Sequence, residues 1–173
     1  MNIFLCGLPT VGKTRFGKVL AKYLSLPFVD IDDLILHTQE GKKYGSIKKI
    51  FQAFGEKKFS SWEIDMLRSL SLDKSIVALG GGTIMHQEAS SIIKKKGTLV
   101  YLSLPLPMIC ERLKHRGLPE RLKHTHDLMH ALQKRVNFMH RIVDYQFSME
   151  KIDFSQEQSL ICTCNSFLRL LNL

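Results

Sequence analysis

The chain opens on an unbroken apolar run, Ile3-Phe4-Leu5-Cys6, which reads as a buried strand. From Arg15 to Leu24 the period changes, and Phe16, Val19, Leu20, Tyr23 and Leu24 share one helical face. Leu26-Pro27 breaks this pattern, and Phe28-Val29-Asp30-Ile31-Asp32-Asp33 starts apolar and turns acidic, as a strand does when its carboxyl end reaches a site. A helix is expected over Leu34 to Gln39, then a basic loop from Gly41 to Gly45. Ile47, Ile50, Phe51 and Phe54 recur at helical spacing up to a break at Gly55, and Phe59, Trp62, Glu63, Met66, Leu67 and Leu70 mark a second amphipathic helix. Ser75 to Leu79 is a short strand ending in Gly80-Gly81-Gly82. Ile84 to Lys96 reads as a helix closed by Gly97, and Thr98 to Leu104 as the cleanest buried strand. Pro105 and Pro107 stop it; Met108, Ile109 and Leu113 begin another helix. Leu128 to Ile142 turns Leu132, Val136 and Met139 inward, Phe147 to Phe154 suggests a last strand, and Ser159 to Leu173 a closing helix or a strand plus helix. The alternation predicts a single three-layer α/β domain over residues 1–173 with a mostly parallel sheet.

Composition narrows this only a little. A net charge of +9, from 25 Lys and Arg against 16 Asp and Glu, suits small polyanions as well as nucleic acid. The basic residues are scattered without interleaved aromatics, so solvated helix faces are the expectation and no nucleic-acid partner is. Cys6, Cys110, Cys162 and Cys164 form no paired CxxC arrangement, which suits a reducing compartment. The seven histidines show no HExxH-like spacing. No apolar run reaches membrane length, so a cytoplasmic protein with no membrane partner is expected; a monomer acting on a small-molecule substrate is expected as well.

The candidate chemistry begins where the first strand meets the first helix. Gly7-Leu8-Pro9-Thr10-Val11-Gly12-Lys13-Thr14 spells GxxxxGK[ST] in the strand–loop–helix context that a phosphate-binding loop requires. Loop N–H groups and the helix dipole converge on anionic oxygens, Lys13 adds charge, and Thr14 offers a hydroxyl for Mg²⁺. Asp30 and Asp32, two apart on an extended segment and hence on one side, are candidates for metal and substrate contacts; the competing reading is that Asp32 or Asp33 caps the next helix. Three glycines at a strand end favour close approach of a ligand beside the transferred phosphate. The basic, Gly- and Pro-containing stretch from Lys114 to Lys123 suits a lid, and Arg135 is suited to grip a carboxylate.

In order and spacing, the phosphate loop, the Asp30-Ile31-Asp32 pair, the Phe59-to-Glu63 helix, the glycine triplet, the arginine-bearing lid and Arg135 resemble the shikimate kinases over nearly the whole chain. The resemblance implies a P-loop kinase fold with a five-stranded parallel sheet, a substrate-binding helical insertion at about 34–70 and a lid at about 112–127. It implies ATP and Mg²⁺ as co-substrate and cofactor, and phosphorylation of the shikimate 3-hydroxyl in chorismate biosynthesis. Carried onto this sequence, it gives Gly7, Thr10, Val11, Gly12, Lys13, Thr14 and Arg15 to ATP, with Arg116 and Arg121 as competing nucleotide arginines. Thr14 and Asp30 fall to the metal, and Asp32, Ser60, Gly80, Gly81, Gly82 and Arg135 to shikimate. Lys13 and Asp32 carry the chemistry.

The chain departs from the family pattern at four places. Thr10 replaces a loop glycine. Phe59-Ser60-Ser61-Trp62-Glu63 stands for F-R-x-x-E, so Ser60 replaces a carboxylate-clamping arginine, for which Lys57 or Lys58 is the expected substitute. The lid's R-P-L-L becomes Gly117-Leu118-Pro119-Glu120-Arg121-Leu122, and Asn137 and Met139 replace a proline and a tyrosine after Arg135. The alternatives are a gluconate- or nucleoside-kinase-like enzyme of the same fold, and a nucleotide-binding protein without transfer activity.

Overall fold

The computed structural model describes residues 1–173, apart from the side chain of Glu157. Five strands, β1 (Asn2–Cys6), β2 (Phe28–Asp30), β3 (Ile76–Ala78), β4 (Gly97–Ser103) and β5 (Tyr145–Ser148), form one sheet in the order β2-β3-β1-β4-β5. Every pairing is parallel. The central β1 is buried along its whole length, as an apolar run without alternation requires when helices cover both faces. Leu5 and Asp30 both register with Ala78, so the carboxyl ends of β1, β2 and β3 finish abreast. Those three ends lead into the phosphate loop, the acidic segment and the glycine triplet.

Helix α1 (Lys13–Leu24) follows the loop, with Phe16, Leu20 and Ala21 in the core. Phe16 stacks on Phe147 of β5 at 5.8 Å between ring centroids, and both meet Phe167 edge-on at 5.1–5.3 Å. Such pairs each add about 0.5–1.5 kcal/mol beyond the area they bury, and they seat the terminal helix, Glu157–Leu170, against α1 and β5. The C-terminal segment is therefore a helix with no further strand. The strand expected at Phe147 to Phe154 starts two residues earlier and stops at Ser148, and the chain after it turns back to bring Phe154 beside Gly12.

Between β2 and β3 lie three helices: α2 (Ile31–His37), α3 (Gln39–Tyr44) and α4 (Ile47–Ser69). Two expectations are corrected here. The helix after β2 begins at Ile31 rather than Leu34, because the Asp30 side chain accepts the Asp32 N–H at 3.0 Å and caps it. The supposed basic loop at Gly41 to Gly45 is helical, since Thr38 accepts the Gly41 N–H and Gly45 closes the turn in the left-handed conformation. The expected break at Gly55 is present: its φ of 74° and ψ of 175° divide α4 into two helical halves. After β3 come a 3₁₀ turn at Thr83–Met85, α5 (Gln87–Lys96) and β4; then α6 (Leu106–Arg116), a second 3₁₀ turn at Glu120–Leu122, and α7 (Leu128–Ile142). No helix of the described residues is long and apolar enough to cross a membrane.

Candidate active site

The carboxyl ends of the strands open into one cleft of about 900 Å³ whose lining runs from the phosphate loop through Asp30, Asp32 and Glu63 to Gly81, Gly82, Arg121 and Arg135. At its inner wall, Gly12 is the N-cap of α1 with φ 107°, which leaves the first N–H groups of the helix directed at the cleft. Lys13 curls back over the loop, its Nζ donating to the carbonyls of Gly7 at 3.0 Å and Leu8 at 3.2 Å. Burial lowers its pKa, opposed by the nearby Asp32, Cys6 and Asp30. Beneath the loop, burial pushes the Cys6 thiol up to about 12, so it stays protonated and unreactive.

The loop also bears strain. Thr10 holds φ at 66°, a conformation that costs a side-chain-bearing residue roughly 1–2 kcal/mol. Its Oγ1 is buried without a hydrogen-bond partner. The Thr10 carbonyl accepts from Arg112 Nη1 at 3.0 Å. Arg112, which the sequence reading did not single out, thus stands beside Arg116 and His115 around a side recess next to Thr10. Arg15 lies outside the loop, its guanidinium 4.4 Å from the Phe154 ring centroid. Spacing alone offered no signal for Arg112 or Phe154, since α6 and the turn after β5 approach the loop only in the folded chain.

Asp30 serves two neighbours at once. Its Oδ1 caps α2, and its Oδ2 accepts the Thr14 hydroxyl at 2.7 Å. The structure therefore joins both sequence readings of this segment: the cap is Asp30, neither Asp32 nor Asp33, and the same carboxylate faces the P-loop hydroxyl. Asp30 and Asp32 do not share one extended strand. They come together because the helix begins between them. Asp32 is half-buried, and desolvation, with the Glu63 and Asp30 carboxylates, raises its pKa to about 7 against the pull of Lys13 and Arg121.

The opposite wall is built from distant side chains. Glu63 of α4 is fully buried and accepts the Thr83 hydroxyl at 2.6 Å. Gly80 threads between Glu63, Thr83 and Asp32: a Cβ there would lie 2.6 Å from Glu63 Oε1 and 2.9 Å from Asp32 Oδ1. Arg135 of α7 donates to the Gly81 carbonyl at 3.1 Å. Burial lowers its pKa, and the nearby positive Arg121 lowers it further.

Arg121 and Arg116, both expected at the nucleotide, part company. Arg116 lies by Thr10. Arg121 instead reaches α4, where Nη2 donates to Glu63 Oε2 at 2.7 Å and to Ser60 Oγ at 2.9 Å. Its guanidinium lies 5.2 Å from the Phe59 ring centroid and 5.6 Å from that of Phe51. Lys57 and Lys58, the expected substitutes for the missing arginine, are exposed on α4.

Three comparisons agree with this geometry. A family model described as shikimate kinase matches residues 9–169. A shikimate kinase of Chlamydia pneumoniae is 44% identical over 99% of this chain and 99% of its own length. Among solved structures, a shikimate kinase from Bacteroides thetaiotaomicron aligns with a TM-score of 0.82 at 25% identity, over 100% of this chain and 99% of its own. One from Acinetobacter baumannii, in complex with shikimate, aligns at 0.75 and 26%, over 99% and 93%.

Proposed function

Since the chain belongs to the shikimate kinase family, we propose that the cleft binds ATP at the Gly7–Thr14 loop and shikimate between Asp32, the glycine triplet and Arg135, and transfers the γ-phosphoryl group to the shikimate 3-hydroxyl. One observation carries the assignment of roles: Asp32, with its pKa raised to about 7, lies within electrostatic reach of both Lys13 and Arg121.

Asp32 orients the acceptor hydroxyl and takes its proton as the oxygen attacks the γ-phosphorus and ADP departs. Lys13 and the first N–H groups of α1 offset charge on the phosphoryl oxygens. Gly80 to Gly82 let the acceptor approach the backbone, and Arg135 meets its carboxylate with a planar fork. The Thr14 hydroxyl and Asp30 carboxylate are hard oxygen donors side by side at the loop, a set that suits Mg²⁺. When bound there, Mg²⁺ neutralises phosphate charge.

The test is ADP release in a coupled assay with shikimate, quinate, gluconate and nucleosides offered separately. Shikimate-dependent turnover is expected; turnover with a different alcohol alone, or nucleotide binding without any acceptor, would sink the proposal.

A further inference from the structure

Position 60 lies one helical turn before Glu63 on the inner face of α4, so an arginine there would sit against the Glu63 carboxylate. Ser60 leaves that space free and is itself buried. Arg121 fills it from outside the helix. Its side chain is 9% exposed, its Nη2 spans Glu63 and Ser60, and its Nη1 lies 3.3 Å from Glu63 Oε1. The route of the backbone explains how it gets there. Pro119 starts a 3₁₀ turn, Leu122 buries its side chain in the core, and the turn thereby aims Arg121 inward at α4.

The guanidinium is not saturated by these contacts. Two of its five N–H groups are spent at Nη2 and one at Nη1. The Nε is buried without a hydrogen-bond partner, its only ionic neighbour being the exposed Glu56 at 3.3 Å. The unused Nη1 hydrogen belongs to the atom that a Cβ on Gly82 would overlap. Arg121 thus presents donor capacity at the same glycine turn whose Gly81 carbonyl receives Arg135. Both guanidinium groups line the one cleft, where an anion between them would offset the like charges that Glu63 alone leaves unbalanced.

On the proposed acceptor assignment, we infer that Arg121, carried by the segment between α6 and α7, replaces the α4 arginine absent at position 60, and that with Arg135 it holds the carboxylate of a small hydroxy acid. Glu63 positions that guanidinium, as it would have positioned an arginine from its own helix. The acceptor is then gripped by a segment that belongs, by sequence position, to the nucleotide lid. Specificity for an anionic acceptor depends on how that segment packs on α4.

Steady-state kinetics of four proteins test this: the parent chain, Arg121→Lys, Arg121→Ala, and Arg121→Ala combined with Ser60→Arg. Loss of the fork is expected to raise the KM for shikimate ten- to a hundredfold, with the KM for ATP within twofold of the parent. The double variant is expected to recover most of the loss. Methyl-esterified shikimate, which lacks the negative carboxylate, should bind poorly to the parent and no more poorly to Arg121→Lys. A rise in the KM for ATP alone, unchanged KM values in Arg121→Lys, or additive losses with the ester would each overturn the inference. Should Arg121→Ala unfold by circular dichroism, Arg121→Lys and the ester decide. A parent chain without shikimate-dependent turnover defeats the acceptor assignment itself, whereas an active parent with indifferent variants defeats only the role of Arg121.

Discussion

The two walls of the cleft are made in different ways. The donor wall is almost entirely local: one loop, the helix it starts, and a single carboxylate from the neighbouring strand end. Its polar contacts use backbone carbonyls of Gly7 and Leu8 and the amides at the start of α1, so its shape follows from eight consecutive residues. The acceptor wall gathers Asp32, Glu63, Gly80 to Gly82, Arg121 and Arg135, which span more than a hundred positions of the chain. A wall made of backbone tolerates few changes of sequence. A wall made of side-chain ends can be rebuilt from another element, provided that a charge of the right shape arrives at the same place.

Three substitutions probe this contrast, in descending order of effect. Lys13→Ala removes the half-buried cation from the donor wall; kcat should fall by about a thousandfold or more, while equilibrium binding of shikimate changes little. A comparable loss of shikimate affinity would show that the walls are not separable.

Asp32→Asn comes next. On the proposed role of Asp32 as base, the transfer rate should drop by about 10²–10⁴, and in the parent chain kcat/KM should decline tenfold per pH unit below about pH 7, where Asp32 becomes protonated. Stability moves the other way. The carboxyl titrates near 7 when folded and near 4 when unfolded. Between those values the folded chain holds the extra proton, and stability declines as pH rises through that window. Asp32→Asn should therefore melt above the parent at pH 8, by about 4 °C for a gain of ~1–2 kcal/mol, and at the parent's temperature at pH 4. Parallel melting curves at both pH values would show that Asp32 is not perturbed by its neighbours.

The smallest effect belongs to Thr10→Gly. Removing a left-handed threonine and its partnerless hydroxyl should raise the melting temperature by about 2 °C, after the entropic cost of glycine is subtracted. A lower melting temperature would mean that Thr10 packs better than its backbone suggests.

What the sequence disclosed follows the same division. The phosphate loop, the parallel sheet and the break at Gly55 were legible because each is a local pattern with a steric cause: a glycine-rich turn between a strand and a helix, apolar runs bounded by breakers, a glycine with positive φ. Asp30 and Asp32 both line the cleft, but the extended segment expected to align them is absent; the capping bond that starts α2 at Ile31 replaces it. Helix α3 was missed because its glycine and lysines outweighed the cap at Thr38. Arg121, one of two competing candidates for the nucleotide, packs instead on Glu63 and Ser60 of α4, since lid position in sequence says nothing about which way a 3₁₀ turn aims a side chain. Its bond to Ser60 spans 61 residues, and nothing local to either position announces it.

The carboxylate of Asp30 bridges the two walls. One of its oxygens receives the hydroxyl of the phosphate loop and the other receives the peptide N–H of Asp32 itself. A ligand that drew on the first oxygen would act on the Asp32 peptide through a single rigid planar group. Occupancy of one wall is therefore expected to change affinity at the other, and a calorimetric cycle with ATP and shikimate measures that coupling.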